Sequence, residues 1–554
     1  MEKIKLMALG GLDEDGKNMF IVEVNDNIFV LECGLKYPEG DQLGIEMIIP
    51  DFSYLVENKE KVRGVFITHG HDDVMAALPN LLKVVDVPVY TAPLTAVMLE
   101  DRCTRQGITN VRIHRIQRNS EFEINGIRIK TFGVTQSICD GFGIAIGTKH
   151  GYIVYSSEFI IDYDIKNEAF RCDITNLTSL ANEGVLCLLS ESVGSTRSGH
   201  SAPNHRITNI AEPYFDGAEG RICVTLYQQN IYRIIEFIEL ANKYGRKVCF
   251  YDDKLRWIVS VLADLGYYHM PAGLEIPKDK FDNSMDNVCV LISGVGSNIF
   301  KRLHKIATKE DETMEFRSTD TIILASPPVP GTEGEANRME NDLYKEGAKV
   351  VAIDNKRAYS MHAAIEDLKM MIYLLKPKYY MPVKGEYRQL IANANIAMDM
   401  GYMASSIIVM DNGQMAIIED GKLKNEYGFL ELEDVMVDGK ENLDASGIIL
   451  RDRETLSTDG AIIVGIVVNH KTKEIIGGPD VQSRGVIYLK DADYIVKEIG
   501  NIIESTVNEA VEENRYDNMA CRVEARDKIS RYVMKETGKR PMILPAIVEI
   551  NIAG

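Results

Sequence analysis

Short apolar runs separated by turn residues fill about the first 190 positions, and this pattern predicts strands more than helices. Met19 to Val24 and Ile28 to Cys33 flank the turn Asn25-Asp26-Asn27, and Ile127 to Phe132 follows Asn125-Gly126. Gly143 to Ile146 pairs naturally with Tyr152 to Tyr155 across Lys149-His150-Gly151. Helical patterns such as Leu94 to Arg105 lie between them, so the region reads as a sheet-rich α/β sandwich. From about Ala211 to Ile353 the rhythm becomes strand and helix in alternation. Strands are expected at Arg221 to Leu226, Lys247 to Tyr251, Val288 to Ile292, Thr321 to Leu324 and Ala348 to Ile353. Helices fall between them at Ile231 to Tyr244, Ile258 to Leu265 and Ala336 to Glu346, the first and last closed by Gly245 and Gly347. Such alternation predicts a parallel, doubly wound sheet, placed here as an insertion in the first domain. A helix at Ala363 to Leu375 returns to that domain. Beyond Tyr427 an acidic, irregular stretch reads as a linker. A small α+β unit follows, with strands Ala461 to Val468, Gly485 to Leu489 and Ala546 to Ile552 and helices Tyr494 to Glu513 and Val523 to Thr537.

Composition narrows the class. A chain of 554 residues with 45% hydrophobic and 26% charged residues is ordinary for two or three globular domains. No apolar run approaches the ~20 residues of a membrane helix, so no membrane role is expected. Met1-Glu2-Lys3-Ile4-Lys5 leads into a strand-length run, not a signal peptide. Nine cysteines without a Cys-x-x-Cys pair fit a reducing compartment, and a cytoplasmic location is expected. The net charge of −20 argues against a broad basic nucleic-acid surface, while leaving room for a local positive groove or a protein partner.

Chemistry concentrates at one junction. Val65-Phe66-Ile67 reads as a buried strand ending in Thr68, and Met75-Ala76-Ala77-Leu78 with Leu81-Leu82 reads as a helix. Between them, His69-Gly70-His71-Asp72-Asp73 points His69, His71 and Asp73 into one small volume. Imidazole and carboxylate together suit zinc or manganese. The next residue, Val74, offers no lone pair.

Further motifs carry a resemblance. They include Leu9-Gly10-Gly11 with Gly16-Lys17-Asn18-Met19, Pro50-Asp51-Phe52-Ser53-Tyr54-Leu55, and Ser326-Pro327-Pro328-Val329-Pro330-Gly331. Leu375-Lys376-Pro377-Lys378-Tyr379, Gly385-Glu386-Tyr387-Arg388, Leu450-Arg451-Asp452-Arg453 and Lys539-Arg540-Pro541-Met542 continue the order. Together they resemble the RNase J family, bacterial β-CASP ribonucleases of the metallo-β-lactamase superfamily, over essentially the whole chain. The resemblance implies a metallo-β-lactamase αββα sandwich from residues 1–205 and 357–427 and an inserted β-CASP domain at 206–356. It implies a linker at 428–447 and a C-terminal α+β domain at 448–554.

The resemblance also implies RNA as substrate and two divalent ions, which would stabilise the phosphoryl transition state. The first ion would rest on His69, His71 and a His that is Gln136 here. The bridging Asp is Glu158, and the second ion would use Asp73, a His replaced by Val74 and a His replaced by Lys384. His71 and Asp73 are the candidate catalytic residues. The β-CASP acid is Glu191, the supporting Asp of the first motif is Glu32, and a His assisting the leaving group is Ala358. Each Asp-to-Glu change moves a carboxylate out by about an ångström, against a metal–ligand tolerance of roughly 0.2 Å. Lys384 brings a cation to a cation site. It would either answer Asp73 and Glu158 as a fixed counter-charge or extend to solvent.

For RNA contact the resemblance points to Ser360, Met361 and His362, where Met361 replaces a glycine, and to Asn230 and Arg233. It points more weakly to the loop Ser293-Gly294-Val295-Gly296-Ser297. Tyr232 would stack on a base or pack on its own helix. Some relatives carry two paralogues, one degenerate at these positions, and this chain resembles the degenerate one. The expectation is a weakly active or inactive subunit, in RNA maturation and decay, that pairs with an active paralogue or with itself. The alternative is an active 5′-to-3′ exo- and endoribonuclease using one ion or an altered site.

Overall fold

Two mostly antiparallel sheets face each other because each presents alternate apolar side chains to the other. The computed structural model describes residues 1–38, 44–329, 331–425, 428–438, 441–443, 448–486 and 493–551. By contacts the chain divides into a first unit of Met1–Glu39 with Glu46–Asn442 and a second of Gly40–Ile45 with Leu443–Gly554.

In the first unit, one sheet runs Lys422–Leu423, Gln414–Glu419, Lys3–Gly10, Met19–Val24, Asn27–Leu31, Val62–Ile67, Val89–Thr91 and Ile113–Arg115. The other runs Tyr379–Val383, Val185–Glu191, Gly151–Tyr155, Phe142–Thr148, Ile127–Gly133 and Glu121–Ile124. Phe20, Phe29 and Phe66 from the first interlock with Ile144, Tyr155 and Met381 from the second, all fully buried. Phe20 and Tyr155 bring their ring centroids to 5.6 Å. The outer face of the second sheet is covered by Ile174–Glu183 and Ile365–Leu375 through Leu177, Leu180, Leu368 and Met371. Met98 and Leu99 of Pro93–Arg105, with Leu78 and Leu81, cover the outer face of the first sheet. This is the expected αββα sandwich.

Within the same unit lies a fully parallel five-stranded sheet, ordered Lys247–Phe250, Val288–Gly294, Ile222–Tyr227, Thr321–Leu324, Lys349–Ala352. Its strands are near-continuous apolar runs because both faces are covered. Ile231–Lys243 and Asp253–Asp264 pack on one face, Asn298–Ala307 and Glu333–Lys345 on the other. Each of the first two helices opens on a side-chain cap, Asn230 to the Arg233 N–H and Asp252 to the Leu255 N–H.

The second unit stacks Asp493–Glu512 and Asn518–Thr537 on a sheet ordered Ile475–Arg484, Ala461–Asn469, Met542–Ile550.

Three local readings differ from the structure. The helix expected through Met75 to Leu82 is two pieces, Asp72–Met75 and Leu78–Leu82. The Ala77 N–H leaves the helical ladder to bond the Cys33 carbonyl at 3.0 Å, a partner supplied from far away in sequence. Parts of the expected linker are not irregular: Gly428–Phe429 pairs with Gln414–Met415, and Val435, Met436 and Val437 pair with Ile49, Ile48 and Met47. The rest of the linker lies partly outside the described residues, as do positions 487–489 of the expected strand Gly485 to Leu489, Ile552 of the last one and Pro330. The strand Ile475–Arg484 was hidden by Gly477-Gly478-Pro479, which reads as a turn. Among the described residues no helix is long and apolar enough to cross a membrane.

Candidate metal centre and cleft

Glu32 begins the construction of the site from beneath. It sits after the strand Asn27–Leu31 at a positive φ of 66°, and its carboxyl accepts from both the Thr68 N–H and hydroxyl. Burial pushes Glu32 up to about 8, against the lowering effect of those bonds. Thr68 Oγ1 lies 2.9 Å from His69 Nδ1, which leaves Nε2 aimed inward. Ser137 Oγ lies 2.9 Å from His71 Nε2, which leaves Nδ1 aimed inward. Outer partners of this kind fix which ring nitrogen a metal would see.

The two inward nitrogens are 3.1 Å apart. Glu158 closes the triangle, Oε1 at 3.3 Å from His69 Nε2 and Oε2 at 3.3 Å from His71 Nδ1. A tetrahedral ion bound at ~2.0–2.1 Å by each ligand spaces its donors ~3.3–3.4 Å apart. Three residues therefore fit one ion, and their donor atoms all lie within 4.8 Å of one another. Burial draws His69 down to about 4, so its ring is neutral, as a ligand must be. Gln136, beside Ser137, is fully buried, and among the described residues neither of its side-chain polar atoms has a hydrogen-bond partner.

A second ion does not fit. Lys384 follows the strand Tyr379–Val383 and is buried, with 3% of its surface exposed. Its Nζ donates to Asp73 Oδ2 at 2.7 Å and to Glu158 Oε1. Of the two destinations open to Lys384, the structure has the ion pair. Its backbone is held at φ 56°, a region lysine seldom adopts, with the Lys384 carbonyl accepting from the Ser192 N–H at 3.0 Å. Burial would push both acids up, but the ammonium outweighs it and holds Asp73 below, and Glu158 well below, the carboxylate range. The acids in turn keep Lys384 charged against its own burial. Val74 is fully buried in the apolar core beside Met75 and Leu78.

Asn18, to which the sequence assigned no role, also donates to Asp73, through Nδ2 to Oδ2 at 3.0 Å. Thr68 and Ser137 were likewise unassigned. The available signal was their type: small polar residues beside the ligand motifs, at positions otherwise apolar.

These groups open into a cleft of about 400 Å³ whose opposite wall is the parallel-sheet domain, through Gln228, Asn230 and Gly294 to Gly296. The expected RNA contacts are placed as follows. His362 lines the cleft and its Nδ1 lies 2.7 Å from Glu191 Oε2. Burial works against the charged ring, but Glu191 and Glu158 outweigh it and raise His362 above the histidine range. Glu191 is otherwise spent on the Phe159 and Ala363 N–H groups. Ser360 and Met361 also line the cleft, with the Ser360 hydroxyl accepting from Arg197 at 2.9 Å. Arg233 lies on the cleft wall, but its guanidinium donates to the carbonyls of Ala325, Ala358 and Tyr359, so it braces the loop. Tyr232 packs edge-on to Phe170 with centroids at 5.3 Å, the packing alternative.

An αββα sandwich interrupted by a parallel α/β domain, with imidazoles and carboxylates at the strand ends, defines the metallo-β-lactamase fold of the β-CASP group. Comparison with known proteins agrees. Residues 12–174 match the metallo-beta-lactamase superfamily and 219–343 the beta-CASP domain of ribonuclease J. Residues 347–404 match the Zn-dependent metallo-hydrolase RNA specificity domain and 448–550 the ribonuclease J C-terminal domain. The chain is 32% identical to ribonuclease J 2 of Staphylococcus epidermidis RP62A, over 99% of this chain and 98% of that protein. It is 33% identical to ribonuclease J 2 of Staphylococcus aureus MRSA252 over the same shares. The chain belongs to the ribonuclease J family. A solved structure of a protein of unknown function from Enterococcus faecalis V583 shares the fold, with a TM-score of 0.53 at 15% identity, covering 75% of this chain and all of that one.

Proposed function

We propose that this chain is an RNA-binding ribonuclease J subunit that takes at most one divalent ion, zinc or manganese, on His69, His71 and Glu158. RNA would enter the cleft beside His362 and Ser360. By itself the subunit cleaves RNA slowly or not at all. The observation that carries this reading is Lys384, whose ammonium sits between Asp73 and Glu158. When bound, an ion supplies Lewis acidity toward a phosphoryl oxygen. The protein's own groups hold that ligand set in place through Thr68 and Ser137 and hold His362 against Glu191 at the cleft.

The test is turnover of 5′-monophosphorylated RNA by the isolated chain in manganese or zinc, beside a relative with all ligands intact. Losing one ion's contribution of several kcal/mol should cost at least about 100-fold, at ~1.4 kcal/mol per tenfold. Turnover equal to the intact relative and abolished by His71→Ala would overturn the reading. It would favour the alternative, a nuclease working through one ion, which the 3.1–3.3 Å donor spacing supports.

Assembly with an active paralogue, or with a second copy, belongs to the same proposal. In the C-terminal sheet, Ile463 pairs with Leu544 and Val467 with Val548 on the face turned from the helices, where Ile463, Leu544 and Val548 are exposed. Such a face suits an obligate, largely apolar interface. Light scattering of the chain cut after Asn442 should then show weaker association than the full chain.

A further inference from the structure

We propose that Lys384 is a built-in cation: its ammonium permanently holds the position a second divalent ion would need, and removing it would create a metal site. The inference rests on that reading of the centre and deepens it: it says what the lysine stands in for, and it makes no claim about RNA turnover.

The argument begins with Glu158, which divides its oxygens between two neighbours. Oε2 faces His71 alone, whereas Oε1 is shared between His69 and the Lys384 ammonium. A carboxylate shared in this way serves two positive centres, as a bridging ligand does. One centre is the His69–His71 pair's candidate ion, and the other is the lysine. Asp73 belongs only to the lysine side, reached at 2.7 Å, with Asn18 steadying the same oxygen at 3.0 Å. Asp15, on the cleft wall, adds a third carboxyl on that side, and burial followed by repulsion from Asp73 raises it. Without the ammonium, Asp73 and Glu158 would face each other with nothing between them, and Asp15 would add to the repulsion. That is an oxygen-rich, anionic pocket of the kind that takes manganese or magnesium.

The backbone supports a committed placement. Lys384 is held at positive φ, its carbonyl fixed by Ser192, while the next residue, Gly385, bonds through its carbonyl to the Glu14 N–H at 3.2 Å. The side chain is thus delivered into the centre by a clamped turn. A lysine free of any duty there would have no reason to stay buried at 3% exposure.

The experiment uses the full chain, wild type and Lys384→Ala, with ion content measured after dialysis against manganese or zinc and thermal melts run in EDTA and in manganese. Wild type should hold no more than one ion per chain. Lys384→Ala in EDTA should melt several degrees lower, and manganese should recover most of that loss while the variant takes up one ion more than wild type. Two ions on wild type would overturn the proposal, and this measurement stands even if the variant does not fold. An unchanged melt in EDTA, or equal ion content in the two proteins, would also overturn it. RNA turnover enters none of these readouts, so a chain that proved to cleave RNA through one ion would leave this inference standing.

Discussion

Glu158 and Asp140 are both fully buried acids within the same fold, yet they titrate in opposite directions. Glu158 meets the Lys384 ammonium and is held well below the carboxylate range. Asp140 receives the Leu94 N–H at 2.9 Å and the Tyr267 hydroxyl at 2.8 Å, with the Arg118 charge nearby, and burial still pushes it up to about 7. Glu32, hydrogen-bonded by Thr68 and Tyr155 with Lys384 acting only from a distance, goes up to about 8. Neutral donors and a charge held at a distance do not offset the loss of water around these carboxylates, and an ammonium in direct contact does. The difference bears on function. A carboxylate beside the two imidazoles stays ionised without any metal because the chain supplies its own cation.

The largest expected effect tests the side of the comparison without a cation in contact. Asp140 has a folded pKa of about 7 against 3.8 when unfolded. Below that lower value both states are protonated and nothing is lost. As pH rises toward 7 the unfolded chain releases the proton first, so stability falls, and above 7 the loss is constant. At 1.36 kcal/mol per unit this amounts to about 4 kcal/mol. Asp140→Asn keeps an oxygen for Leu94 and Tyr267 and should remove that fall. Urea melts of the two proteins at pH 5 and pH 8 should differ by the part of it that falls above pH 5, about 3 kcal/mol, and parallel curves would mean that Asp140 ionises as freely as a surface acid.

Next in size is Glu158→Gln. It leaves a buried ammonium with only Asp73, which is open to the cleft, as its partner. Breaking a buried pair costs about 3–5 kcal/mol, and the surviving partner puts the expected loss near the lower end, about 3 kcal/mol. The same variant should lose any ion held with His69 and His71. A Glu158→Gln protein as stable as wild type would show that Asp73 alone satisfies Lys384.

How far the sequence foretold this depends on how local each cause is. A sheet-rich α/β sandwich and the parallel insertion were legible because alternation and βα rhythm report which faces are covered, and the αββα layering came with the family resemblance. Lys384 was half legible: charge placed a cation among carboxylates, but whether it answered them or extended to solvent needed the structure. The break at Ala77 was not legible, since it depends on the Cys33 carbonyl. The duty of Arg233 was hidden for the same reason, because the carbonyls it braces come from Ala325, Ala358 and Tyr359. Nor did charge type alone reveal that Asp140 and Glu158 would part ways. That difference is made by the residue that folds against each, and Tyr267 and Lys384 lie 127 and 226 positions along the chain from the acids they meet.

The smallest effect concerns the hydroxyls that steer the imidazoles. Ser137 Oγ, at 2.9 Å from His71 Nε2, directs Nδ1 toward Glu158. Ser137→Ala removes one hydrogen bond at the edge of the cleft, so stability should change by about 1 kcal/mol or less. Its effect should show instead in ion affinity, which outer-partner changes lower by roughly 10–100-fold, with the low end expected because Thr68 still orients His69. Competition with a chelator for bound zinc would measure that shift, with a melt as control. A weakened site in a protein of unchanged stability is the outcome that separates steering from packing. If affinity and melting temperature both stay at wild-type values, His71 is oriented by Glu158 without help, and the imidazole pair owes its geometry to the same carboxylate that Lys384 keeps charged.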